Sequence, residues 1–115
     1  MEKKDVSAME EVLEYVKAKT EEGKQNVGET LEEETRRIQD IIDFAKSKLD
    51  EVTDEAKAKL NEIIAFAESK IEQIQKEALE AKEKVAEGAE KAKKTTGELV
   101  EKVSEEVEEV KDTVQ

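Results

Sequence analysis

An eleven-residue repeat runs through most of this 115-residue chain and constrains its fold more than any other feature. Two nearly identical stretches, IIDFAKSKL at residues 41–49 and IIAFAESKI at residues 63–71, lie two repeats apart. Eleven residues complete almost three turns of an α-helix, at about 3.67 residues per turn, so equivalent positions stay nearly in line along a straight helix. The repeat therefore predicts amphipathic helices that carry one continuous apolar stripe.

From residue 30 onward the units read TLEEETRRIQD, IIDFAKSKLDE, VTDEAKAKLNE, IIAFAESKIEQ, IQKEALEAKEK, VAEGAEKAKKT and TGELVEKVSEE. A narrow stripe on a lone helix stays exposed, so we expect another helix, another chain or a lipid surface to cover it. The apolar residues of the central units share one side of the helix and form what we call the apolar face: Ile41, Ile42, Ala45, Leu49, Val52, Leu60, Ile63, Ile64, Ala67, Ile71 and Ile74.

Lysines follow both edges of this face, while acidic residues fill the far side of the helix. The methylene stems of the lysines can lie along an apolar contact while their ammonium groups reach phosphates or carboxylates. This arrangement is typical of an interfacial helix. The alternative is that Lys and Glu three or four residues apart only support an exposed helix, at about 0.2–0.5 kcal/mol per pair. We call these residues the border lysines: Lys46, Lys48, Lys57, Lys59 and Lys70.

The composition favours long helices and argues against an enzyme. Charged residues make up 45% of the chain, proline is absent and only four glycines occur, whereas strong helix formers dominate. The chain has neither cysteine nor histidine, so it lacks the usual neutral-pH general base, thiolate nucleophiles and the preferred ligands of zinc. We therefore predict no catalytic, cofactor or metal site and no small-molecule substrate.

The charge balance bears on partners and location. A net charge of −12 argues against nucleic acid, because neutralisation of phosphates by Lys and Arg supplies most of that binding energy. The first twenty residues are interrupted by acids such as Glu10, Glu11 and Glu14, and no stretch approaches the about 18 apolar residues of a membrane span. The sequence thus predicts a soluble, cytoplasmic protein without a signal peptide or transmembrane segment.

Capping and breaking signals divide the chain into three segments. Three capping-box patterns, beginning at Ser7, Thr30 and Thr95, predict helix starts, and Gly23 and Gly28 bracket a predicted break. We predict a short N-terminal helix from about Ser7 to Glu22 within residues 1–29, a long repeat helix over residues 30–94, and a C-terminal helix over residues 95–115. The sequence leaves open whether this segment is continuous or folds back; an unbroken helix over 30–94 extends about 98 Å.

The C-terminal segment changes from elevens to a heptad-like pattern. Its valines recur at spacings of three and four, which is typical of a short coiled-coil seam that packs back on this chain or pairs with a second copy. The seam consists of Val100, Val103, Val107, Val110 and Val114.

The unit VTDEAKAKLNE, residues 52–62, resembles the eleven-residue motif of group 3 late embryogenesis abundant (LEA) proteins, which typically reads TAQAAKEKAGE. Ala56, Lys57, Lys59 and Glu62 fall on matching positions, and the unit at residues 41–51 matches similarly. The resemblance covers about residues 30–115 and is strongest over 41–73. It implies a chain that becomes helical on drying or on meeting membranes and that protects membranes and proteins during water stress. The apolar residues here are bulkier than those of the motif, which favours stable helix packing in water.

The sequence therefore predicts an all-α fold of elongated amphipathic helices with an eleven-residue repeat, packed as a helical hairpin, a bundle or a coiled coil. We expect an LEA-like, desiccation-protective protein whose helices bind membrane surfaces or shield partner proteins. The alternative is a structural scaffold or adaptor that acts through helix–helix self-association, including a homo-oligomer.

Overall fold

The computed structural model describes the backbone of residues 2–25, 31–81 and 85–113, and the side chains of 2–25, 32–76 and 94–113. No strand occurs within these ranges, so the predicted all-α class is confirmed. The elements are α1 (Lys3–Gln25), α2 (Leu31–Lys48), a short 3-10 helix (Leu49–Glu51), α3 (Asp54–Ala81) and α4 (Val85–Thr113).

The four helices form an antiparallel bundle. α1 packs on α2 and α4, α3 packs on α2 and α4, and α2 also meets α4 across the centre. The pairings run in opposite directions along the chain: Lys19 of α1 meets Asp40 of α2, while Glu11 nearer the start of α1 meets Lys48 nearer the end of α2. α3 and α4 are related in the same way. A bundle is one of the packings that the sequence left open.

The bundle buries one apolar core that receives residues from all four helices. α1 contributes Met9, Val12 and Val16, and α4 contributes Leu99 and Val103, all almost fully buried. The helices fold back because each carries a narrow apolar stripe that it cannot cover alone. No helix in the described part of the chain has a stretch that is long and apolar enough to cross a membrane.

α1 is longer than predicted at both ends. It begins at Lys3, because the Asp5 carboxylate accepts a hydrogen bond from the Glu2 amide at 2.9 Å and so caps the first turn. Ser7 lies exposed within the helix, so the predicted start at Ser7 is wrong. Gly23, predicted as a break, is a buried residue inside the helix. Gly28 and Thr30 lie outside the described residues.

The central repeat does not form one helix, so the boundaries of the long helix predicted over residues 30–94 are wrong; the segment folds back, which is one of the two arrangements that the sequence left open. α2 ends at Lys48 and passes through the 3-10 turn, and Val52 then adopts an extended conformation with φ −126° and ψ 165°. Thr53 starts α3, and its carbonyl accepts the Lys57 amide at 2.9 Å. The long dimension of the bundle is 50 Å, which is too short for a straight helix of about 98 Å.

α4 begins at Val85, so the boundary predicted between residues 94 and 95 is also wrong. Thr95 and Thr96 lie buried inside this helix, at 5% and 3% exposure, rather than at its start. The Ala, Lys and Glu residues that precede them are strong helix formers, so helical backbone continues through the threonines. Burial of both threonines against the bundle outweighs their preference for capping positions.

Candidate functional site: the apolar face and its border lysines

The apolar face lies against the interior of the bundle. Its nine most buried members include Ile41, Ile42 and Ile63, each with about 1% of its surface exposed. Leu49 and Ile71 are half-buried at the edge of the same core. The remaining buried members are Ala45, Val52, Leu60, Ile64, Ala67 and Ile74. In the folded chain, the cover that this face needs comes from the chain's own helices.

The C-terminal seam contributes to the same core. Val103, Val107 and Val110 are buried and Val100 is half-buried, whereas Val114 lies outside the described residues. Leu99 is fully buried beside them, although the heptad-like pattern did not include it. The described seam valines pack back on this chain, which is one of the two arrangements that the sequence left open.

Four of the five border lysines form ion pairs with other helices. Lys46 of α2 meets Glu68 of α3 at 3.4 Å, and Lys48 of α2 meets Glu11 of α1. Lys59 of α3 reaches Glu106 and Glu109 of α4, at 3.4 and 2.5 Å. Lys70 of α3 meets Glu98 of α4 at 3.4 Å, while Lys57 pairs within its own helix with Asp54 at 3.9 Å.

Carboxylates of other helices favour the charged form of two of these lysines, Lys48 and Lys59. A hydrogen bond to Glu109 raises the pKa of Lys59, and the same contact lowers the pKa of Glu109. A hydrogen bond to Glu11 likewise raises the pKa of Lys48. Lys48 and Lys59 therefore stay cationic at neutral pH, and in the bundle their charge is directed to carboxylates.

Two lysines also lie over a pair of stacked aromatic rings at the α1–α2 seam. The Tyr15 and Phe44 ring centroids are 4.3 Å apart and nearly parallel. Lys19 Nζ lies 5.5 Å from the Tyr15 centroid and Lys48 Nζ lies 5.2 Å from the Phe44 centroid. Each cation–π contact lies within one helix, whereas the stacked rings join α1 to α2.

One buried carboxylate joins two segments that are far apart in sequence, a contact that the sequence did not predict. Asp5 is fully buried, and it accepts hydrogen bonds from the Thr53 amide at 2.9 Å and from the Thr53 hydroxyl at 2.7 Å. Burial alone raises the pKa of Asp5, but hydrogen bonds from Glu2 and Thr53 and the nearby charge of Lys4 leave it lowered. The local signal was Thr53 followed by two acids, a typical helix start.

A second buried polar group lies at the other end of the α1–α2 pair. Arg37 Nη1 donates to Glu34 Oε1 at 2.8 Å, and the two side chains are 6% and 0% exposed. Glu22 of α1 also meets Arg37, at 3.7 Å. Gly23 makes room for this pair, since a methyl group at its Cα lies 3.2 Å from Arg37 Nη1.

The described residues contain no group of three or more His, Cys, Asp or Glu side chains placed to hold a metal ion. Comparison with protein-family models, with curated proteins and with solved structures gives no match. The candidate site is therefore defined by its own geometry: a buried apolar face, a border of lysines, and carboxylates of neighbouring helices that pair with them.

Proposed function

We propose that this chain is an LEA-like protective protein that keeps its amphipathic helices closed against one another in water. The helices open when a membrane surface or an unfolding partner protein offers a replacement apolar surface. The observation that carries the proposal is that the residues with interfacial patterning are the residues that fill the bundle core. One face then serves two alternative contacts, and the protein exchanges one for the other.

The exchange has a small apolar cost. Lipid chains are as apolar as a protein interior, so an Ile side chain that moves from the core to a membrane keeps most of its hydrophobic stabilisation. What opening loses is close packing and the polar contacts between helices. The membrane keeps the face out of water, where exposure would cost about 25 cal/mol per Å² of apolar area.

The border lysines support the same exchange. Lys46 and Glu68 are each 52% exposed, and exposed pairs of this kind contribute about 0–1 kcal/mol because water and salt screen them. Once the helices separate, the ammonium groups can reach lipid phosphates at the edge of the apolar face. The net charge of −12 opposes attraction to anionic lipid, so we expect modest and salt-sensitive binding.

The second candidate function is a structural scaffold or adaptor. It is favoured by the burial of nine of the eleven residues of the apolar face within a single chain, because a bundle that never opens leaves its outer polar surface as the contact for partners. This function predicts high helicity without lipid and no change when vesicles are added.

A covalent lock between α3 and α4 separates the two functions. The chain has no cysteine, so Lys59→Cys and Glu109→Cys provide the only thiols, at positions where the native side chains meet at 2.5 Å. A short bifunctional maleimide joins the two helices. The matched control is the same variant with both thiols capped by a monofunctional maleimide. Both samples are tested for co-sedimentation with vesicles of phosphatidylcholine and phosphatidylglycerol, and for protection of a dried reporter enzyme.

We expect the capped protein to bind vesicles and protect the enzyme, and the joined protein to do neither. Equal activity of the two samples overturns the proposal, because it shows that the buried face is not used. If wild type, capped and joined proteins are all inactive in both assays, the protective function is wrong and the scaffold remains.

A further inference from the structure

The contact between Asp5 and Thr53 joins the first turn of α1 to the turn that connects α2 with α3. It spans 48 residues of sequence and comprises two hydrogen bonds, from the Thr53 amide and the Thr53 hydroxyl. The same carboxylate accepts the Glu2 amide, so one buried anion receives three donors. Two helix starts, those of α1 and α3, are thereby tied together at one end of the bundle. Positive ends of helix dipoles add to the attraction for this carboxylate.

Two of the other described ion pairs between helices lie in exposed positions. Lys46–Glu68 and Glu10–Lys111 are ion pairs whose four side chains are each about half exposed, so water replaces them readily when the helices part. Asp5 has no exposed surface. Its loss removes the acceptor of the Glu2 and Thr53 amides at a partly buried contact, and a donor that loses its partner there costs free energy.

We infer that the Asp5–Thr53 contact is the latch that holds the α2–α3 hairpin closed on α1. When the latch breaks, the turn at residues 49–53 separates from the start of α1. The buried apolar residues close in sequence to the latch, Val52 on one side and Ala8 and Met9 on the other, are then expected to become exposed first. The latch inhibits exposure of the apolar face. The regulatory role of the latch rests on the protective function proposed above, whereas its structural role in holding the hairpin on α1 does not.

Two variants break the latch with little change in shape. Asp5→Asn replaces one carboxylate oxygen by an amide nitrogen, which meets the donors of Glu2 and Thr53 as a further donor. Thr53→Val removes the hydroxyl and keeps the branched side chain. Thr53→Ser is the conservative control, because it keeps the hydroxyl. Val103→Ala, a core substitution in α4, is the control for loss of global stability without damage to the latch.

Amide hydrogen exchange of the full chain measures the local opening. The reporters are the amides of Val6 and Lys57, which donate to Glu2 O and Thr53 O beside the latch. In Asp5→Asn and Thr53→Val we expect these amides to exchange faster than in wild type by about tenfold or more, and faster relative to the amide of Val107 in α4. Thr53→Ser should keep the wild-type ratio of exchange at the Val6 and Lys57 amides to exchange at the Val107 amide. Val103→Ala should raise exchange throughout the bundle and leave this ratio unchanged.

Uniform acceleration in the latch variants, or none, overturns the latch. A second readout is the rate at which the same variants bind phosphatidylcholine–phosphatidylglycerol vesicles, which should rise in Asp5→Asn and Thr53→Val but not in Thr53→Ser. If wild type and variants all fail to bind vesicles while the local exchange pattern holds, the latch stands and its role in membrane binding is wrong. If vesicle binding occurs at equal rates in all of them, the regulatory role of the latch is wrong.

Discussion

Replacing Gly97 by alanine is expected to stabilise the bundle, although a glycine that follows two threonines is typical of a helix boundary. Gly97 lies inside α4, and a methyl group at its Cα meets no heavy atom within 4 Å. Glycine in a helix interior costs about 1 kcal/mol relative to alanine, and here nothing opposes that gain. We expect the free energy of unfolding to rise by about 1 kcal/mol and the melting temperature by about 4 °C.

Gly23 is the matched control, because it has the same propensity cost in a different environment. A methyl group there lies 3.2 Å from Arg37 Nη1 and 3.5 Å from a carboxylate oxygen of Glu34. The gain in helix propensity is offset by displacement of a buried ion pair, and overpacking of this kind costs about 1–3 kcal/mol. Gly23→Ala should therefore be neutral or destabilising.

Urea unfolding followed by circular dichroism at 222 nm measures both variants. We expect the free energy of unfolding of Gly97→Ala to exceed that of Gly23→Ala by about 1 kcal/mol or more. Equal stabilisation by the two substitutions would falsify the placement of the Arg37–Glu34 pair against Gly23. Destabilisation by Gly97→Ala would show that α4 does not continue through residue 97.

Three further predictions concern stability. The pKa of Asp5 is lowered in the folded chain, so its contribution to the free energy of unfolding is present above the unfolded pKa of 3.8 and is lost as pH falls through the folded pKa. Urea titrations between about pH 5 and pH 2 should therefore show a steeper loss of stability for wild type than for Asp5→Asn. Ile63→Ala should cost about 2–5 kcal/mol in the free energy of unfolding by urea titration, since Ile63 is 1% exposed, and a cost below 1 kcal/mol contradicts its place in the core. Glu34→Gln should lower the free energy of unfolding by about 3 kcal/mol, because the buried guanidinium of Arg37 loses its carboxylate partner. Arg37→Met on the same background should recover part of that loss in a double-mutant cycle. Additive losses would contradict the pairing of the two side chains.

The helical class and the buried set were accessible from sequence because both follow from local periodicity. Ile41, Ile42, Ile63 and Ile64 recur at repeat spacing, and that spacing places them on one side of a helix whatever covers it. The identity of the cover was not accessible. A stripe that is equally suited to another helix, another chain or a lipid surface contains no information about which one is near.

The turn at residues 49–53 was missed because the repeat continues through it. Val52 occupies the first position of a unit and is buried, so the apolar pattern shows no interruption there. Thr53 with its two following acids gave a helix-start signal as good as the one at Ser7, yet only the former begins a helix. Tertiary contact decides between them: Thr53 meets buried Asp5, whereas Ser7 is exposed.

Buried polar groups were beyond sequence reasoning for a different reason. Arg37 belongs to a charged run that, taken locally, is typical of a solvated helix face, and only the approach of α1 at Gly23 buries it. Asp5 and Thr53 are 48 residues apart, and no local pattern connects them. Such contacts depend on how the helices fold back, which periodicity leaves undetermined.

The alkylation rates of two single cysteines test most directly whether the chain covers its own apolar face. Ala67 is fully buried on that face and Ala65, two residues away on α3, is exposed. With a water-soluble reagent and no lipid, we predict that Ala67→Cys reacts about 100-fold more slowly than Ala65→Cys, at a ratio independent of protein concentration. Equal rates would show that nothing covers the face, and a ratio that grows with concentration would show that a second chain covers it.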